Sequence, residues 1–200
     1  MSETITLHIP KVVVTGDKRA GKTCLLTRYI SETYSNAYIG TPLNDHLVEY
    51  GEGQAIILSD TEVYNWEMGR THRLFNYIGA SVVVACFGVD DPESLSNVER
   101  IWVPEVRVHN TTAPILLVGC KADVRHDPEE LRRLALSGIK TISMKEARAV
   151  AKRVGAVAYI ECSAKTGKGV EDVFSQAIGR SFHRRPTINR SVSPCGCIIL

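Results

Sequence analysis

Short, unbroken apolar runs alternate along this chain with longer stretches whose apolar positions recur every three or four residues. The unbroken runs are Lys11–Thr15, Ala55–Ser59, Ser81–Val89, Pro114–Gly119 and Ala156–Glu161, and each reads as a strand. A weaker strand, Leu47–Tyr50, precedes Gly51-Glu-Gly53, a hairpin signal that pairs it with Ala55–Ser59. The helical period appears at Gly21–Ser31, Pro92–Trp102, Met144–Gly155 and Gly169–Phe182, and Ser143 with Glu146 forms a capping box before the third. Strands that are apolar throughout, rather than at alternate positions, predict a sheet covered on both faces. The fold class is therefore α/β: a doubly wound, mainly parallel, six-stranded sheet with helices on both faces. In such sheets ligands bind at the carboxyl ends of the strands. Residues 1–182 read as one domain. Residues 183–200 turn to Arg, Pro, Ser and Thr without an apolar period and read as a flexible tail.

Composition changes this picture little. Hydrophobic content of 44% and charged content of 23% are those of an ordinary globular chain. A net charge of +2 gives no argument for nucleic acid as a partner. Of the six cysteines, Cys24, Cys86, Cys120 and Cys162 lie in apolar or motif surroundings, which predicts buried free thiols in a reducing compartment. No apolar run reaches the ~18 residues of a membrane span, and the start Met-Ser-Glu-Thr lacks the features of a secretory signal. An intracellular location is expected.

The first strand runs into Gly16-Asp-Lys-Arg-Ala-Gly-Lys-Thr23 and then a helix. This is the phosphate-binding loop G-x-x-x-x-G-K-[ST] in its strand–loop–helix context. Amides of the loop and of the helix N-terminus would point at phosphate, which makes Gly16, Asp17, Lys18, Arg19, Ala20, Gly21, Lys22, Thr23 and Cys24 candidate nucleotide-binding residues. Lys22 would reach the outer phosphates, and the Thr23 hydroxyl would ligate Mg²⁺. Lys18 and Arg19 put two bulky cations where such loops often carry small residues. An outward-facing solvated charge accounts for Arg19.

After the fourth apolar run comes Gly119-Cys-Lys-Ala-Asp123. A carboxylate at Asp123 can accept from both the ring N–H and the exocyclic amine of guanine, a pair that adenine lacks, so it selects GTP over ATP. The Lys121 stem can cover the base while its amine stays polar. Taken alone, K-x-D after a strand is equally well surface charge; the upstream loop favours the site. Glu161-Cys-Ser-Ala-Lys165 ends the last strand, where amides of Ser163, Ala164 and Lys165 would meet the guanine carbonyl, unless this is an ordinary strand-to-helix turn. Thr41, in a loop, would complete Mg²⁺ coordination beside a γ-phosphate. Asp60, at a strand end, would hold the metal through water, its alternative being a turn residue.

The chain ends in Cys197-Ile-Ile-Leu200, a C-a-a-X box whose terminal Leu favours geranylgeranylation of Cys197. One lipid anchors only marginally, so a second signal is expected: palmitate on Cys195, ahead of the sparse Arg184, Arg185 and Arg190.

On these motifs the chain resembles the Rho family of Ras-like small GTPases over residues ~9 to 200. Trp102-Val-Pro-Glu-Val106 is similar to that family's W-x-P-E-V segment, and Val124 to Ile142 has the length and helical character of its insert helix. Tyr34 falls where the family sets an aromatic against guanine, and Cys120 where many relatives carry Asn and Rho proteins usually carry Thr. The resemblance implies a monomeric GTP/GDP switch with Mg²⁺ as cofactor, lipid-anchored at the cytoplasmic face of a membrane, the plasma membrane by default. It further implies effector proteins, exchange factors and a Rho-type dissociation inhibitor as partners, with the Thr41 and Asp60–Tyr77 loops sensing the γ-phosphate. In the catalytic machinery it places Lys22, Thr41 and the position of Tyr64.

The departures cluster where hydrolysis is done. The family's Asp-Thr-Ala-Gly-Gln is here Asp60-Thr-Glu-Val-Tyr64, so Tyr64 (or Asn65, if the alignment slips) replaces the glutamine that positions water, and Val63 replaces a glycine. Lys18 replaces the loop glycine beside the γ-phosphate and would crowd both the water and an arginine finger worth roughly 10³–10⁵ in rate. Gly40 and Pro42 flank Thr41 where the family has Pro and Val, and the ribbon between the switches is about three residues short. Weak hydrolysis is expected. The alternative is a conventional cycling enzyme; an ATP-using enzyme and loss of nucleotide binding are disfavoured by Asp123 and by the intact Lys22, Thr23 and Lys121.

Overall fold

A computed structural model describes residues 9–34, 45–50, 54–61 and 73–183. Thr41, Val63, Tyr64 and the lipidation candidates Cys195 and Cys197 lie outside the described residues. The first half of the fold is β1 (Lys11–Gly16), α1 (Lys22–Ser31), the ribbon β2 (Asp45–Tyr50) and β3 (Gln54–Asp60), then β4 (Val82–Gly88). The second half is α2 (Pro92–Asn97), α3 (Val103–His109), β5 (Ile115–Cys120), α4 (Pro128–Leu136), α5 (Met144–Arg153), β6 (Ala158–Glu161) and α6 (Val170–His183). The six strands stand in the order β2-β3-β1-β4-β5-β6, and only β2 with β3 pairs antiparallel. This is the expected doubly wound sheet.

Alternate residues of the same buried strands feed two separate cores, as the two-residue strand period demands. Val12, Val14, Val82 and Val84 face one layer, with Leu25 of α1 and Phe174 and Ile178 of α6. Val13, Val83 and Phe87 face the other, with Leu95, Val106 and, from α5, Val150. Each fully buried side chain of this size contributes about 1.5–3 kcal/mol, and the Phe174 ring also stacks on Tyr29 at 4.0 Å. The edge strand β2 alternates exposed and half-buried positions, as a one-sided strand should.

Helix starts follow local chemistry. Asp91 and Asp127 accept from the first free amides of α2 and α4, each followed by Pro at the first position. Ser143 and Glu146 make the expected capping box.

One expectation fails. The helix predicted to stop at Trp102 continues to His109, through a π-helical turn at Val98–Trp102. Pro104 is the reason. It has no N–H to donate and crowds the preceding turn. The chain widens one turn earlier, where the Val103 amide reaches back five residues to the Val98 carbonyl. The insert also starts differently. Its first residues form a 3₁₀ turn, Ala122–His126, and only Pro128–Leu136 is α-helical.

Candidate nucleotide site

The register Gly16↔Cys86 sets the phosphate loop at the carboxyl ends of β1 and β4. Gly16 is obligatory there: its φ is +140°, and an added Cβ would lie 2.2 Å from the Cys86 carbonyl oxygen. Gly21, at φ +107°, lets the end of β5 approach, since a Cβ would stand 3.0 Å from that of Cys120. This contact brings the Lys121–Asp123 motif against the loop.

Within the loop, the Ala20 amide donates to the Asp17 carbonyl at 3.2 Å. Lys22 is buried, and its Nζ donates to the same carbonyl at 2.7 Å, which holds the amine over the loop where outer phosphates would sit. Thr23 Oγ1 donates to Oδ2 of the buried Asp60 at 2.7 Å. This hydroxyl and carboxylate are the hard oxygen pair expected for Mg²⁺. Thr61 Oγ1 donates to the Val14 carbonyl at 2.8 Å and fixes the end of β3. Lys18 and Arg19 are exposed on the loop.

Beside the loop lies a cavity of about 460 Å³. Gly21, Cys24 and Tyr34 form one wall, Lys121 and Asp123 another, and Ala164 with Lys165 the end. Asp123 Oδ1 accepts from Ser163 Oγ at 2.5 Å. A carboxylate has about four lone-pair sites, so this bond orients the group and leaves capacity for a ligand's N–H pair. The Ser163 hydroxyl thus serves Asp123, while the Ser163 amide donates to the Lys168 carbonyl at 2.9 Å. Lys121 lines the cavity, and its amine donates to Asp90 Oδ2 at 3.0 Å. Burial, with Cys24 and Asp123 beside it, pushes the Tyr34 phenol up. Lys165 is paired with Asp127 at 3.4 Å, and that bond raises its amine.

Two loop residues show features the sequence reading left out. Arg19 is exposed, as a solvated charge should be, but it lies in the left-handed region at φ +66° and lines the cavity. The Asp17 side chain is engaged with protein groups. Its oxygens accept from Asn97 Nδ2 at 2.7 Å and Trp102 Nε1 at 2.5 Å. The sequence reading took Trp102 as a family mark and missed both donors.

A second missed group is the Arg125–Glu161 pair, bonded at 3.0 and 2.7 Å, with Tyr159 on the same carboxylate at 2.5 Å. With the Ala122 amide on the Cys162 carbonyl at 3.0 Å, it straps the turn that carries Asp123 to the end of β6. Cys86, Cys120 and Cys162 are buried free thiols, as expected, and Cys24 is half-buried. Hydrogen bonding to Cys120, together with burial, pushes the Cys86 and Cys162 thiols up and keeps them inert.

Comparison with known proteins shows the family. The model of the Ras family matches residues 11–182. The "GTP-binding protein Rho1" of Kluyveromyces lactis is 35% identical over 196 residues, 95% of this chain and 94% of that protein. The "GTP-binding protein rho5" of Schizosaccharomyces pombe is 36% identical over 193 residues, 95% of this chain and 96% of that protein. The "GTP-binding protein RHO1" of Candida albicans is 38% identical over 173 residues, 86% of this chain and 87% of its own length.

Proposed function

Because this chain belongs to the Rho family of Ras-like small GTPases, we propose that it is a membrane-anchored GTP/GDP signalling switch that hydrolyses GTP only weakly. The choice of guanine rests on Asp123, aimed by Ser163 at the wall of the cavity. Ala164 and Lys165 close the far end, and Tyr34 packs beside the base. Lys22 and the loop amides hold the phosphate chain.

The pair Thr23 and Asp60 fits Mg²⁺ in chemistry, with Thr41 the further ligand from the first switch. When bound, the ion would neutralise charge on the phosphate oxygens. Lys22, Thr23 and Asp60 orient the nucleotide; none of them activates water. That task falls to the second switch, where Tyr64 stands for the glutamine and Val63 for the glycine.

The observation that carries weak turnover is Lys18, an exposed, long side chain on the phosphate loop. Positioning and charge stabilisation are nearly the whole of phosphoryl-transfer catalysis, so a group crowding that volume removes most of the available acceleration. Partner docking is supported by Leu47 on the edge strand and by Phe75 and Ile78 at the end of the second switch, all apolar and more than half exposed. These suit effectors, exchange factors and a dissociation inhibitor. No helix among the described residues is long and apolar enough to cross a membrane; anchoring would come from lipid on Cys197 and Cys195.

Nucleotide extraction and chromatography of freshly purified protein is the first test. Bound GTP is expected; bound GDP would favour the cycling enzyme, and an empty site would sink guanine-nucleotide binding. Single-turnover hydrolysis is the second. A rate like that of ordinary relatives would refute weak turnover. Lys18→Gly alone is expected to restore little, because Val63 and Tyr64 remain and such groups act as a unit. If Lys18→Gly instead slows hydrolysis, the lysine itself stabilises transition-state charge. Intact-mass spectrometry after expression in a prenylating host tests Cys197.

A further inference from the structure

We infer that Trp102 is a positioning residue for the phosphate loop, and that with Arg73 it links the exit of the second switch to Asp17. The inference rests on the reading of this loop as a nucleotide site. Asp17 is the loop's second residue, and its carbonyl already collects the Lys22 amine and the Ala20 amide. Its carboxylate would sit beside a polyphosphate, where like charge is unfavourable. Two donors from the helix over the other face of the sheet, Asn97 Nδ2 and Trp102 Nε1, turn that carboxylate away and hold it. Charge-assisted bonds of this kind are about twice as strong as neutral ones. They fix the backbone on which the phosphate amides depend.

The opposite side of Trp102 is also engaged. The Arg73 guanidinium lies 5.0 Å from the indole centre, and Glu105 holds it in a fork with bonds of 2.7 and 3.0 Å. Burial works against the charge on Arg73, but Glu105 outweighs it and keeps the group cationic. Arg73 opens the helical turn 73–77, the last part of the second switch. Although 29 residues separate Arg73 from Trp102, the indole is clamped between a switch cation on its face and a loop carboxylate on its edge. Moving Arg73 changes the field and the packing on the ring whose N–H aims Asp17. A guanidinium over an indole also makes that N–H a stronger donor, because the cation draws electron density across the ring. The fork sets the ring plane; Asn97 supplies the second donor without any contact to Arg73.

Release of N-methylanthraniloyl-GDP from the full-length chain tests this. Trp102→Phe keeps an aromatic face, though a smaller one, and deletes the N–H, and it is expected to speed release about tenfold, the size of one charge-assisted bond. Asp17→Ala should match it, Asp17→Asn should recover part of the loss, and the double variant should be no faster than Asp17→Ala. Arg73→Gln should speed release two- to threefold in the wild type and not at all with Trp102→Phe. Wild-type release from Trp102→Phe, or effects that multiply in the double variants, would overturn the relay. A protein that merely needs Trp102 for folding would lose thermal stability without this overlap. If the wild type binds no labelled GDP, the nucleotide reading fails by itself, and the relay is judged by the Trp102 indole ¹H–¹⁵N signal. That signal, told from Trp66 by Trp102→Phe, is expected to move upfield in both Asp17→Ala and Arg73→Gln; an unmoved signal overturns the inference.

Discussion

Tyr77 and Thr15 give the sharpest energetic test of how the second switch is fastened to the phosphate loop. Both residues are fully buried, and their hydroxyls lie 2.7 Å apart. Thr15 immediately precedes Gly16, and Tyr77 ends the helical turn that closes the switch. Burial pushes the Tyr77 phenol far above its usual value, so it is a neutral hydrogen-bonding group at any working pH. Tyr77→Phe keeps the ring and leaves almost no cavity, so the packing term is small. What it removes is one partner of a buried pair, and an orphaned hydroxyl costs about 1–3 kcal/mol. For a chain of this size that lowers Tm by about 2–12 °C. Thr15→Val should cost less, because Glu105 and Arg73 also engage the Tyr77 hydroxyl and keep it from being orphaned. The double variant replaces both hydroxyls by apolar groups of nearly the same shape, which can be close to neutral. The costs of the single variants should therefore not add, leaving a coupling of about 1 kcal/mol or more. Thermal and urea unfolding with nucleotide held at one saturating concentration measures all four proteins, since bound ligand shifts apparent stability. Additive costs, or a Tyr77→Phe cost below about 0.5 kcal/mol, would refute the reasoning.

Three further outcomes follow from the site. Arg19→Gly relieves a left-handed side chain and should stabilise the fold by up to about 1 kcal/mol, yet it should weaken GDP if the cavity-lining guanidinium touches nucleotide; calorimetric binding separates the two. Burial opposes the charge on Glu161, but Arg125 and Tyr159 outweigh it and hold its carboxyl below the usual carboxylate range. The bonus is full above the unfolded value near ~4.3 and is lost as pH falls through the depressed folded value, so Glu161→Gln should cost about 1–3 kcal/mol at neutral pH and progressively less in acid by urea titration. Cys24 is the one half-buried thiol among the four described and lines the cavity, so maleimide should label it first and GDP should slow that labelling; equal rates by peptide mass mapping would place the nucleotide elsewhere.

The sheet was legible because each buried strand declares itself locally. Val12-Val-Val14 and Ile115–Val118 are apolar on both faces, and that alone forces helices onto both sides. The loop and the guanine motif were legible for a related reason: fixed spacing on a strand end determines where their atoms go. What escaped was set by Pro104 and by distance along the chain. Proline inside a helix ordinarily stops it, and nothing in Val98–Trp102 says that a widened turn will absorb the conflict.

The same helix then delivers the residues that spacing could not reveal. Asn97 and Trp102 meet Asp17 across 80 and 85 positions of sequence, from the layer on the other side of the sheet. Had the helix ended at Trp102, Glu105 would not stand one turn beyond the indole to hold Arg73 against it. The π turn is thus part of how the site is built: it carries the helix past Pro104 with the Trp102 edge toward the loop and the Glu105 fork toward the switch. A sequence reading that treats W-x-P-E-V as a family mark identifies these residues and leaves out their mechanical consequence. That consequence is a loop whose second residue is held from outside the loop.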